Sequence, residues 1–112
     1  MDFDFASRKL GKQLSSDSEI QKAFGGLARA IKLRLAVLRA ARTLAEVPRV
    51  PPERCHELKG NRSGCFAVNV SRNQRLIFRP DHDPVPRKAD MGIDLQMVTA
   101  ILIEGVEDYH GD

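Results

Sequence analysis

The chain reads as one α+β domain: an N-terminal strand and helices, then an antiparallel hairpin and a C-terminal strand. The helices pack on one face of a small sheet. Three observations predict this. Apolar residues recur every three or four positions across 20–38, the period of a helix. They alternate with polar residues across 66–70 and 74–78, the period of a strand. A nearly continuous apolar run then fills 98–106, as suits a strand covered on both sides. At 112 residues with 42% apolar content, the chain is expected to form a single domain, 1–112, around an ordinary core.

Phe3 and Phe5 alternate with Asp2 and Asp4, which gives a short strand with one apolar face. A short helix is expected over 7–14. Ser16 and Glu19 stand at capping-box spacing before the next helix. Ile20, Phe24, Leu27, Ile31, Leu35 and Leu38 fall on one stripe of that helix, with Lys22, Arg29, Lys32 and Arg39 broadly opposite. Gly25 and Gly26 interrupt it at a cost of about 1 kcal/mol each relative to Ala, so a kink or break is expected there. Leu33 and Val37 lie off the stripe, as either a second packing face or a partner contact.

Pro48, Pro51 and Pro52 end the helical region, and 46–64 reads as a connector with turns at Gly60 and Gly64. Phe66, Val68 and Val70 share one face of the first hairpin strand, and Leu76 and Phe78 share one face of the second. Residues 71–74 make the turn. Pro80, Pro84, Pro86 and Gly92 mark 80–96 as a long loop before the last strand. Short consecutive connections favour antiparallel pairing. The other sheet face, or its edge, is left for function.

Several classes are excluded or disfavoured. No apolar run approaches the roughly 20 residues of a membrane span. The N-terminus has Asp2 and Asp4 and no basic-then-apolar leader, so a cytoplasmic location is expected. Cys55 and Cys65 make neither a CxxC pair nor a metal-ligand spacing, and are expected to be reduced thiols. The histidines, His56, His82 and His110, show no ligand spacing either, so neither metal nor cofactor is expected.

Charge is more informative than the net +3. Lys22, Arg29, Lys32, Arg34, Arg39 and Arg42 occupy 20–45 without an acid. Lys59, Arg62, Arg72, Arg75 and Arg79 occupy 58–80, again without one. From Asp81 onward acids prevail. A basic surface of this kind either attracts a polyanion, most simply nucleic acid, or merely keeps the protein soluble.

The candidate chemistry lies in three segments. On an extended 106–110, Val106, Asp108 and His110 point one way, and Glu107 and Tyr109 the other. Asp108 beside His110 could fix the tautomer of the imidazole. His56 sits between Cys55 and Glu57 just before a glycine turn, a place where a lone histidine is usually structural or solvated, and His82 looks solvated too. Arg75 has the parity of Ile77 and Arg79, so if Leu76 and Phe78 face the helices both arginines face the open side. A guanidinium there can bind phosphate through two parallel hydrogen bonds, or pair with the C-terminal acids.

Together, Leu58-Lys59-Gly60-Asn61-Arg62-Ser63-Gly64, Asn73-Gln74-Arg75-Leu76-Ile77-Phe78 and Asp108-Tyr109-His110 resemble the HigB branch of the RelE/ParE toxin superfamily. The similarity covers most of the chain, including the lead-in 51–60. The resemblance implies a type II toxin that acts as a ribosome-dependent mRNA endoribonuclease. By motif, the active-site residues are His56, Arg75, Asp108, Tyr109 and His110; Lys59, Arg62, Phe66, Arg72 and Arg79 are the candidate RNA contacts. It implies a HigA-like antitoxin, helix-turn-helix in type, with operator DNA bound only through the complex. The alternatives are a non-catalytic ParE-like gyrase binder and an inactive antitoxin-binding member.

The sequence departs from the pattern in places. Gln74 stands where the family often has Trp, Cys65-Phe66 keeps one of two aromatics, and Asn61 replaces the commoner Asp. A base-stacking platform then depends on Phe66 or Tyr109. The 80–96 loop is longer than in compact members.

Overall fold

The structure is a computed structural model and describes residues 1–108. The site residues Tyr109 and His110 lie outside the described residues. Strand β1 (Asp2–Phe5) leads to helix α1 (Arg8–Gln13), which begins where the Ser7 hydroxyl accepts the Leu10 N–H at 3.1 Å. Helix α2 (Asp17–Phe24) begins the same way: the Ser16 hydroxyl accepts the Glu19 N–H at 3.2 Å. Asp17 and Glu19 place negative charge at its positive end.

Gly25 ends α2 at φ +53°, a left-handed conformation that costs residues with a Cβ about 1 kcal/mol or more. A single turn of tighter helix, Gly25–Leu27, then redirects the chain into α3 (Ala28–Ala40). The stripe expected on one interrupted helix is therefore divided between two. Ile20 of α2 and Ile31, Leu35 and Leu38 of α3 all reach the same core. Arg34 does not join the basic surface. It is buried, and its Nε donates to the Asn69 carbonyl at 2.5 Å.

The connector is not wholly irregular. His56–Glu57 forms a two-residue strand, β2, against β3 (Phe66–Asn69). Strand β4 (Gln74–Pro80) returns after a turn in which Val70 N–H donates to Gln74 O at 2.9 Å. Strand β5 (Ala100–Asp108) completes a five-stranded sheet of order β1-β5-β4-β3-β2. All neighbours are antiparallel except β1 and β5, which are parallel from Asp2↔Ala100 to Phe5↔Ile103.

Phe66, Val68, Val70, Leu76 and Phe78 share the core with the helices and with Ile101 and Ile103, as their alternation requires. The opposite face is not left open throughout. Leu58, Ala67 and Ile77 are buried there with Cys65 against them, under the turn 58–65. Within 80–96, Arg87 and Ile93 form a small bridge. His82 is not simply solvated: its Nε2 accepts the Thr99 and Ala100 N–H groups at 3.1 and 3.3 Å and so tethers the loop to the start of β5.

One irregularity decides the placement of side chains. Ile77 pairs with Gly105 but Phe78 pairs with Ile103, so Glu104 is an extra residue in β5. Such a bulge reverses which residues face the core. Ile101 and Ile103 are buried before it, and Val106 packs on the same core after it. Glu107, opposite Arg75, is thereby turned to the outer face, and Asp108, opposite Gln74, to the helix side.

Candidate functional site

On the outer face, His56 lies opposite Ala67, and Asn69 opposite Arg75. The segment before β2 bends toward this face. Arg54 adopts φ +47°, an uncommon conformation for a residue with a side chain. Together they enclose a concavity of about 560 Å³ lined by Arg49, Val50, Pro51, Arg54, Cys55, His56, Asn69 and Arg75. The lining thus contains guanidinium groups and an imidazole and no carboxylate.

Neighbouring acids are engaged elsewhere. Glu53 is buried. A Glu57 carboxylate oxygen accepts the Gly64 N–H at 3.2 Å. Glu107 receives two parallel hydrogen bonds from Arg62, at 2.6 and 3.0 Å. That guanidinium, with a smaller contribution from Arg75, holds the Glu107 carboxyl below the usual carboxylate range.

The geometry of His56 defines its chemistry. Its Nδ1 lies 2.8 Å from the Arg54 carbonyl oxygen. A carbonyl only accepts, so Nδ1 carries the proton and the neutral ring keeps its lone pair on Nε2. His56 is exposed, and that nitrogen is a competent proton acceptor. Cys55 is no nucleophile here. Burial pushes its thiol up to about 11, against a smaller opposing effect of Arg49. Both cysteines are free thiols.

Of the residues the sequence pointed to, His56 and Arg75 are brought together. Asp108 is not with them. The bulge puts it on the other side of the sheet, where its Oδ1 accepts from Gln74 Nε2 at 3.0 Å. Lys59 and Arg72 are exposed, on the 58–65 turn and the hairpin turn. Arg62 is held by Glu107, and Arg79 Nε lies 3.1 Å from a Glu104 oxygen, so both form the ion pairs the sequence allowed as an alternative.

Phe66 needs correcting. It is 3% exposed and stacks on Phe78 with ring centroids 6.0 Å apart, so it has no face to offer a base. Arg49, Arg54 and Asn69 were missed. Both arginines lie in the stretch 48–55, where proline spacing signals a connector and nothing local signals a lining. Among the described residues, no group of three or more His, Cys, Asp or Glu could hold a metal ion. No described helix is long and apolar enough to cross a membrane.

No protein-family profile and no curated protein matches the chain. Solved structures do. A histidine-to-glutamine mutant of YafQ from E. coli superposes with a TM-score of 0.55 at 15% identity, over 96% of this chain and 91% of that one. A YoeB/ParE toxin from Agrobacterium tumefaciens superposes with a TM-score of 0.52 at 16% identity, over 98% of this chain and all of the other (100%). The fold of this chain is that of the YafQ and YoeB/ParE toxins.

Proposed function

We propose that this protein is a HigB-like toxin of a type II toxin–antitoxin pair, a cytoplasmic, ribosome-dependent endoribonuclease that cleaves mRNA by general acid–base chemistry. The observation that carries the reading is the acid-free concavity that His56 and Arg75 both line. Polyanion binding needs the charge, and proton transfer needs the imidazole.

In this reading, His56 Nε2 takes the proton of an RNA 2′-hydroxyl. The 2′-oxygen attacks the adjacent phosphorus and the P–O5′ bond breaks. A second acid protonates the departing 5′-oxygen, leaving a 2′,3′-cyclic phosphate and a free 5′-hydroxyl, and the motif alone assigns that part to His110. Arg75 stabilises the extra negative charge on the phosphate in the transition state. Tyr109 stacks on a base or holds the backbone in line. Asp108, bonded to Gln74, contributes to the end of β5 instead of to proton transfer. The reaction as written calls on no metal.

The partner in this reading is a HigA-like antitoxin. Leu33, 51% exposed on α3, is a candidate contact for it, whereas Val37 is packed against the core.

The test is induction in growing cells of the wild type and of His56→Ala, Arg75→Ala and His110→Ala. The wild type is expected to arrest growth and to leave ribosome-bound messages cut, with 2′,3′-cyclic phosphate ends. Loss of a general acid or base costs about 10²–10⁴ in rate, enough to abolish arrest. Undiminished toxicity in Arg75→Ala and His110→Ala would remove this mechanism. Gyrase-dependent DNA damage in place of RNA cleavage would support a ParE-like toxin.

A further inference from the structure

Phe66, buried in the core, offers no ring to a base. The concavity supplies a different apolar surface. Val50, 65% exposed, lines it beside exposed Pro51, and Arg49 and Arg54 belong to the same lining. Among cations in a concavity without acids, the surroundings of Val50 match a nucleotide: an apolar base face between anionic phosphates.

We infer that the 49–54 segment is a nucleotide rest, in which Arg49 and Arg54 grip successive phosphates of single-stranded RNA while Val50 and Pro51 pack on the intervening base. The inference rests on the ribonuclease reading for its substrate and adds to it the residues that position that substrate. The segment is built for a fixed task. The Arg54 carbonyl is tied to His56 Nδ1 at 2.8 Å, so displacement of the rest displaces the imidazole. The Arg54 N–H donates to Val50 O at 3.0 Å, and Cys55 N–H donates to Pro48 O at 3.0 Å, which closes the segment on itself. The Glu53 carbonyl accepts the Asn69 N–H at 2.8 Å, which anchors it to β3. Phosphate contacts of this kind fix register, and the base contact is tolerant of sequence because every base has an apolar face.

The experiment measures binding of a 2′-O-methyl RNA hexanucleotide, which cannot be cleaved, by fluorescence anisotropy across a salt series. Each phosphate contact contributes about 0.7 to the slope of log affinity against log salt for a single strand. Arg49→Gln and Arg54→Gln are each expected to lower that slope by about 0.7. Arg42→Gln, an exposed arginine outside the concavity, is expected to leave it unchanged. Val50→Ser is expected to weaken binding several-fold with an unaltered slope, and to change nothing for a hexanucleotide whose central positions are abasic. Thermal melts of each variant confirm the fold.

No measurable binding by the wild type, unaltered slopes in both arginine variants, or an equal fall in Arg42→Gln would overturn the inference. So would an equal loss in Val50→Ser on the abasic strand. The two readings fail separately. Expected slopes without ribosome-dependent cleavage would sink the ribonuclease and keep the rest. Intact cleavage with unaltered slopes would sink the rest alone.

Discussion

Arg75 and Glu107 stand directly opposite each other on β4 and β5, on the outer face of the sheet, and both oxygens of Glu107 are taken by Arg62. An acid beside the guanidinium proposed to hold phosphate would compete with the substrate. In that reading, the Arg62–Glu107 pair that ties the 58–65 turn to β5 would also mask a competing charge.

Removing Arg62 alone should expose that charge. Arg62→Gln is expected to weaken RNA binding, and adding Glu107→Gln should restore it. The pair is more than a third exposed on the Glu107 side, so the stability loss should stay near 0.5 kcal/mol. Affinity and melting of the two single variants and the double variant form a thermodynamic cycle. No coupling between the positions would refute the masking role.

The same pair sets a pH dependence. The Glu107 carboxyl is held low in the folded state, chiefly by hydrogen bonding to Arg62. An unfolded chain therefore binds a proton there before the folded one does. Its contribution is fully present above the unfolded carboxylate value and is lost as pH falls through the lowered folded value. Glu107→Gln should flatten the acid limb of a stability-against-pH curve and leave the neutral region nearly unchanged. An acid limb identical to the wild type would remove Glu107 as its source.

Phe66 tests the corrected assignment. Phe66→Ala should cost about 3–5 kcal/mol, the usual loss for truncating a buried phenylalanine. The folded fraction should bind RNA as the wild type does. If the variant melts normally but binds poorly, Phe66 contacts RNA after all. Phe66→Leu, which keeps most of the volume, gives the same comparison if the alanine variant does not fold.

Thiol reactivity should separate the two cysteines. Cys55 is buried and its thiol is raised to about 11, while Cys65 is half-buried and its thiol is raised too, also chiefly by burial. At neutral pH, iodoacetamide should label Cys65 first and Cys55 only on unfolding. Above the ordinary thiol range the unfolded chain loses the Cys55 proton before the folded one does. Stability should therefore fall with rising pH until the folded thiol also ionises. Equal labelling rates in the native protein would contradict the burial of Cys55.

Much of the fold was legible because it is written in short-range periodicity. The alternation of Phe66, Val68 and Val70 with polar neighbours specified a strand and its buried face. Ser7 and Ser16 announced helix starts, and Gly25 announced the break, since caps and left-handed turns are local chemistry. The strand at His56–Glu57 was not legible: two residues carry no period, and β3 is what makes them a strand. The parallel pairing of β1 with β5 joins segments almost a chain length apart, and nothing in either segment names the other.

The candidate site divides along the same line. Strand parity was enough to mark Arg75 as outward-facing, a property of its own segment, whereas His56 was marked by the family resemblance and not by its spacing. Which acid stands beside Arg75 was decided by one extra residue in β5. A bulge reverses every side chain beyond it, and whether one forms depends on the partner strand. Arg49 and Arg54 became lining residues only once the proline-rich segment folded back on the sheet edge. Sequence alone determined which groups this protein possesses and the elements that carry them. Tertiary structure decided which of those groups meet, because that depends on contacts between segments that no local pattern encodes.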